Sequence, residues 1–158
     1  GRAEAIPFPD QSFDLAAAQL VFHFVSDPAG AVSELLRVVR PEGTIGSCVW
    51  DFEDGMQMLR LFWDAALALD SDAPDEARVL RFSRPGELVE LFDDAGLGDV
   101  AESTLEVRTT YDDTGLSSDR RDPLRTSYFD RLGRPVGPFT LSALARCATG
   151  TNPAVRAN

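Results

Sequence analysis

Residues 13–21 (FDLAAAQLV), 27–40 (DPAGAVSELLRVVR) and 44–49 (TIGSCV) decide how this chain folds. The first is an apolar run of strand length broken only by Asp14 and Gln19. It reads as a strand buried on both faces. Asp27 followed by Pro28 reads as an N-cap and first helical residue. Val32, Leu35, Leu36 and Val39 then recur at helical spacing. Arg37 and Arg40 fall near the far end, where cations complement the helix dipole, and Pro41 and Gly43 are predicted to end the helix. Thr44–Val49 is a second apolar run. A strand, a helix of about 13 residues and a strand form a right-handed βαβ unit, so the two strands are predicted to lie parallel in one sheet.

Outward from this unit the pattern stays α/β. Upstream, Ile6–Ser12 (IPFPDQS) is a loop in which Pro7 and Pro9 bar regular pairing. Downstream, Met56, Leu59, Trp63, Ala66 and Leu67 predict a helix capped by Asp54, and the acidic run from Asp70 to Glu76 reads as a solvated loop. Ser83 and Pro85 open a further helix carrying Leu88, Leu91 and Phe92, which Gly96 closes. Leu105–Tyr111 alternates as a half-exposed strand. Residues 112–122 are loop-like, Leu124, Tyr128 and Leu132 mark a helix ending at Gly133, and Phe139–Cys147 alternates as a last strand. The organisation expected is one partial domain over residues 1–150, with a helical insertion at 53–82 that could act as a lid, and a tail at 151–158. The fold class is a Rossmann-like, mostly parallel sheet with flanking helices, its last strand pair antiparallel.

Composition narrows the function classes. The chain has 15 basic and 26 acidic side chains, a formal net charge of −11 and a pI near 4.4, and every basic residue is Arg. Binding to a phosphate backbone depends on basic neutralisation, so a nucleic-acid partner is not expected. No apolar run reaches the roughly 18 residues that would span a bilayer, and no basic-apolar leader is present, so a cytoplasmic protein without a membrane partner is the expectation. Cys48 and Cys147 lie in apolar runs without metal-ligand spacing and are read as buried free thiols; no metal is expected. The chain opens Gly1-Arg2-Ala3-Glu4 and enters strand-like sequence almost at once, as a chain beginning inside a domain would.

Two stretches carry a resemblance. Residues 1–15 (GRAEAIPFPDQSFDL), followed by a strand and His23, resemble a run common in the UbiE/type 11 group of class I S-adenosylmethionine-dependent methyltransferases. Leu36-Arg37-Val38-Val39-Arg40-Pro41-Glu42-Gly43 is similar to that group's helix-to-strand turn, one βα unit later. The resemblance implies the fourth to seventh strands of a seven-stranded sheet, with the first three strands and their glycine-rich cofactor turn absent from this sequence. In such folds the ligand lies over the carboxyl ends of the strands, so this chain would supply one wall of the site.

The resemblance also implies roles. The cofactor is S-adenosyl-L-methionine and the other ligand a small-molecule acceptor. Arg2 and Ala3 would sit beside the adenine, with the Ala3 amide donating. Many members have Asp where Arg2 stands, and Arg cannot accept as Asp does, so a solvated Arg2 is an equal reading. Gln19 and Leu20 would face the methionine part, the alternative for Gln19 being a buried amide satisfied by backbone. His23, the one histidine, is the candidate general base; a packed histidine between Phe22 and Phe24 is the alternative. Trp50, Asp51, Phe52, Phe62 and Trp63 could border an acceptor pocket or simply pack. A second function class is open: a non-catalytic methyltransferase remnant assembling through an exposed sheet edge near Phe13, as a homodimer or with another partner.

Overall fold

The computed structural model describes residues 1–112 and 122–153. In chain order the elements are β1 (Phe13–Gln19), α1 (Pro28–Val38), β2 (Val39–Trp50), α2 (Gln57–Leu69), α3 (Glu76–Val79), α4 (Glu87–Asp94), β3 (Gly98–Tyr111), α5 (Pro123–Arg131) and β4 (Phe139–Thr151). A 3₁₀ turn, Phe22–Phe24, follows β1. The loop expected at 112–122 lies outside the described residues apart from Asp112 and Asp122, as does the tail beyond Pro153. The chain forms two compact units: one of Gly1–Val49, Arg81–Leu105 and Ala145 onward, the other of Trp50–Leu80 and Glu106–Leu144.

The βαβ unit forms as its sequence predicts. Asp27 caps α1, its Oδ1 accepting from the Gly30 amide at 3.0 Å, and Pro28 occupies the first turn. β1 pairs with β2 in parallel, Leu15 opposite Thr44 and Gln19 opposite Cys48. The strand order among the described residues is β1-β2-β4-β3. At one end of the β2–β4 pairing the Glu42 amide donates to the Asn152 carbonyl at 2.8 Å, and the Asn152 amide to the Gly43 carbonyl at 2.9 Å. Thr149 stands beside Gly46, so β4 descends as β2 ascends. Thr151 meets Gly98 and Thr140 meets Thr110, so β4 is also antiparallel to β3. The sheet is mixed, with the last strand inserted antiparallel between two strands of the opposite sense. An antiparallel final pair was expected; its insertion against β2 was not.

Four expectations are corrected. β1 is not buried on both faces: as the terminal strand of the described sheet it leaves Leu15 59% exposed, and Phe13 is exposed too. Pro41 and Gly43 do not end α1, which stops at Val38; they lie inside β2. There the register slips, Phe13 opposing Val39 but Leu15 opposing Thr44, and Glu42 takes φ +65. Such a bulge needs no ladder amide at Pro41. A Cβ at Gly43 would lie 2.5 Å from Val39 Cγ1 and 2.7 Å from the Asp14 carbonyl, which accounts for glycine there. Asp54 does not cap α2. Met56 takes that place without a side-chain bond, and Asp51 instead closes the preceding turn by accepting from the Glu53 and Asp54 amides. The acidic run is not wholly solvated: Asp75 is buried, caps α3 through the Ala77 amide, and is held by Arg60 Nη2 at 2.8 Å. Burial pushes the Asp75 carboxyl up, but the Arg60 and Ala77 hydrogen bonds outweigh it and the net shift is downward.

The core of the first unit joins Val39, Ile45 and Val49 of β2, Val32 and Val38 of α1, Leu88 and Phe92 of α4, and Ala148 of β4. Phe22 is inserted among them, its ring edge-on to Phe82 at 6.3 Å and to Phe92 at 6.4 Å. Against this core the polar face of α1 carries a clamp. Arg37 donates to the Ile6 carbonyl (2.9 Å), the Phe8 carbonyl (2.9 Å), Asp10 (2.8 Å) and both oxygens of Glu34 (2.7 and 2.8 Å). Glu34 also accepts the Ile6 amide at 2.8 Å. Hydrogen bonds from Arg37 and then from Ile6 hold the Glu34 carboxyl at about 2, against a usual 4.5, and its partners push Arg37 further up.

A carboxylate depressed on folding contributes stability above its unfolded value, and that contribution is lost as pH falls through the folded value. Thermal melts between pH about 5 and about 2 should therefore show the wild type losing stability over the interval that a Glu34→Gln variant crosses with a shallower slope, starting from a lower melting temperature at pH 7. Parallel curves would show that Glu34 titrates normally.

Candidate functional site

The carboxyl end of β1 is where the fold offers a site. The strand delivers Gln19, which is exposed, and Leu20, which takes φ +57. A left-handed conformation costs a non-glycine residue about 1 kcal/mol or more and collects where a chain must be aimed rather than merely continued. Leu20 is pinned in that state, its amide donating to the Cys48 carbonyl of β2 at 2.8 Å. The chain then turns sharply into Phe22–Phe24.

Beyond this end lies a shallow depression of about 300 Å³ lined by Arg2, Ala3, Glu4, Val21, Phe24, Val25 and Ser26. Two of the expected cofactor residues, Arg2 and Ala3, are in its wall; Gln19 and Leu20 precede it in the chain and are not. The N-terminal turn is closed by the Ala5 amide on the Arg2 carbonyl at 3.2 Å. Glu4 accepts from Ser26 Oγ at 3.2 Å and lies 3.5 Å from Arg2 Nε. Its own backbone amide, then Ser26, hold the Glu4 carboxyl below its usual range against some desolvation. The Arg2 side chain is 75% exposed. Phe24 is 72% exposed, its ring in T-shaped contact with that of His23 at 5.9 Å.

His23 is buried. Its Nδ1 lies 2.6 Å from the Arg81 carbonyl, which can only accept, so Nδ1 carries the proton and Nε2 is the basic nitrogen of the neutral ring. The ring thus ties the turn after β1 to the segment before α4. Gln19 is not a buried amide: it is exposed, on the terminal strand of the described sheet. Asp14, at the start of β1, is paired with Arg40 across to β2, a strand-to-strand contact.

Sequence reading missed Glu34 and Arg37 as the pair that sets the height of the N-terminal turn; Arg37 was assigned to the helix dipole. Their signal was available. A Glu and an Arg three apart on the polar side of a helix follow a Pro-punctuated loop whose carbonyls have no ladder partners. In the second unit, Asp51 and Phe52 are buried, Phe62 packs edge-on to Trp63 and Tyr128, and Trp63 Nε1 donates to Glu76 at 3.0 Å. Tyr111 stacks on Phe139 with ring centres 5.4 Å apart. Among the described residues no group of three or more His, Cys, Asp or Glu is placed to hold a metal, and no helix is long and apolar enough to cross a membrane.

A parallel βαβ pair followed by an antiparallel strand inserted before the last neighbour makes a mixed α/β sheet, and methyltransferases are among the known proteins it is similar to. A family model described as methyltransferase domain matches residues 1–46. The chain is 29% identical over 150 residues to malonyl-[acyl-carrier protein] O-methyltransferase of Halorhodospira halophila, covering 90% of this chain and 45% of that protein. It is 31% identical over 131 residues to demethylmenaquinone methyltransferase of Roseiflexus castenholzii, covering 73% of this chain and 54% of that protein. The YcgJ protein of Bacillus subtilis superposes with a TM-score of 0.58 at 21% identity, over 98% of this chain and 70% of that one. The chain is thus similar to class I S-adenosylmethionine-dependent methyltransferases of the type 11 kind, and it spans about half the length of these curated relatives.

Leu20 supplies a test of the local geometry. Replacement by Asn, which tolerates φ above zero, should leave unfolding midpoints in urea nearly unchanged, whereas Leu20→Val should lower stability by about 1–2 kcal/mol. Equal effects would mean that the positive φ carries no cost.

Proposed function

We propose that this chain takes part in S-adenosylmethionine-dependent methyl transfer to a small-molecule acceptor and supplies one wall of the cofactor site. The observation that supports this best is the depression past the carboxyl end of β1, which gathers Arg2 and Ala3 with Val21 and Phe24. Its four strands correspond, on this reading, to the fourth through seventh of the seven-stranded sheet. A volume of about 300 Å³ is at the lower end for a ligand pocket and suits a ring rather than a whole nucleoside–amino acid conjugate. The residues present fit part of the cofactor.

When bound, the cofactor supplies an electrophilic methyl group on a sulfonium. The chain's residues then bind and orient. The Ala3 amide donates toward the adenine edge, with Phe24 and Val21 as apolar wall. Gln19, able both to donate and to accept, faces the polar amino-acid portion, and the strained turn at Leu20 fixes its direction. Arg2 is a donor engaged with Glu4 and takes no acceptor role. The net charge of −11 favours approach of a cationic ligand. His23 is the candidate proton acceptor for the nucleophile through Nε2, while alignment of the reactants carries most of the rate.

Calorimetric titration of the purified chain with S-adenosylmethionine should give saturable one-to-one binding, weakened about tenfold by Ala3→Pro, which removes one donor worth about 1.4 kcal/mol. The exposed β1 edge favours a second reading, a partner-binding remnant that assembles strand to strand. Absence of binding together with a stable dimer in sedimentation would establish that reading and overturn the first. In a preparation that transfers methyl groups, His23→Asn should lower the rate about 100-fold and abolish the acidic limb of the pH–rate profile. An unchanged profile would assign His23 to tethering Arg81.

A further inference from the structure

The bonds that set β2 against β4 also place the chain's two cysteines. Asn152 pairs with Gly43, and an ideal Cβ on Gly46 would lie 3.6 Å from Thr149 Cγ2. In this antiparallel register Cys48 comes directly opposite Cys147. Facing pairs alternate between hydrogen-bonded and non-hydrogen-bonded types; Gly43–Asn152 is bonded, so Cys48–Cys147, five positions along, is of the non-bonded type. There the Cα atoms approach to about 4.5 Å and side chains are closest. That separation is within the range of about 4.4–6.8 Å that a disulfide spans.

Both thiols are free and half-buried, on the face of β2 away from Ile45, Ser47 and Val49. Their side chains interact directly. Sequence alone suggested buried free thiols; the sheet leaves them half-buried and makes them neighbours. On the same row Cys48 opposes Gln19 of β1, and Ser103 of β3 reaches Cys147.

We propose that Cys48 and Cys147 form a dithiol modification site, closed to a reversible cross-strand disulfide by low-molecular-weight disulfides. One cysteine thiolate attacks the small disulfide, whose S–S bond breaks and releases one small thiolate, leaving a mixed disulfide. The second cysteine loses its proton, attacks the protein-side sulfur and expels the other small thiolate. The two cysteine sulfurs lose two electrons and two protons, and the small disulfide is reduced to two thiols. Burial, and then the adjacent Cys48, push the Cys147 thiol up, with Ser103 opposing, so closure should quicken as pH rises. A bond between directly opposed strand residues departs from relaxed disulfide geometry and is readily reduced, as a reversible site requires.

The purified chain is incubated with oxidised glutathione, the reaction quenched by alkylation, and the intact mass and non-reduced tryptic peptides measured. The expected product has lost two hydrogen atoms, joins the Cys48 peptide to the Cys147 peptide, and reverts with dithiothreitol. Cys48→Ser and Cys147→Ser should each instead retain a glutathione adduct on the remaining thiol. Stable adducts on the wild type, cross-linking between chains, or thiols left unmodified would each overturn the proposal.

Discussion

Everything at the candidate site rests on one guanidinium. The loop from Ile6 to Ser12 contains two prolines and forms no strand ladder, so its carbonyls need partners from elsewhere. Arg37 supplies them: a planar fork of five donors reaches two loop carbonyls, Asp10 and both oxygens of Glu34. Glu34 returns the bond to the Ile6 amide. An isolated surface ion pair is worth little, but here both partners are half-buried and each also binds backbone, so the network orders a segment rather than merely joining two charges. The turn at Arg2–Ala5, and with it the wall of the depression, is held where α1 puts it.

A second constraint works from the other side. The bulge at Glu42–Gly43 shifts the β1–β2 register, and Asn152 locks it by donating through its side chain to the Leu36 and Val39 carbonyls at 2.9 and 2.8 Å. The same residue starts the β4 pairing. One asparagine thus joins the end of α1, the entry to β2 and the end of β4, and the register it sets determines that Cys48 opposes Cys147 and that Leu20 is held at the Cys48 carbonyl. The strained Leu20 depends on this geometry.

Sequence revealed the elements whose signals are local. Asp27-Pro28 started α1 as expected, Gly96 and Gly133 took the positive φ of helix ends, and the alternation of Phe139–Cys147 was a strand. It did not reveal effects decided at a distance. Pro41 and Gly43 look like a helix stop, yet the pairing of β1 draws them into a strand. Asp75 sits in an acidic run and looks solvated until Arg60, fifteen residues earlier, folds over it. The apolar run of β1 promised two covered faces, but its coverage depends on neighbours that no local pattern encodes. For the site, the structure puts Arg2 and Ala3 in the lining of a depression and Gln19 and Leu20 at the strand end, and the clamp that holds the N-terminal turn was overlooked because i, i+3 charge pairs are common on exposed helices.

Cofactor contacts are proposed to concentrate where the N-terminal turn meets the carboxyl end of β1. Amide chemical shifts of the isotopically labelled chain, followed by NMR during titration with S-adenosylmethionine, test it residue by residue. The largest changes are expected on Arg2–Glu4 and Gln19–Val21, with little response along α2 and α5. Changes centred on the latter helices, or a spectrum that does not move, would contradict it.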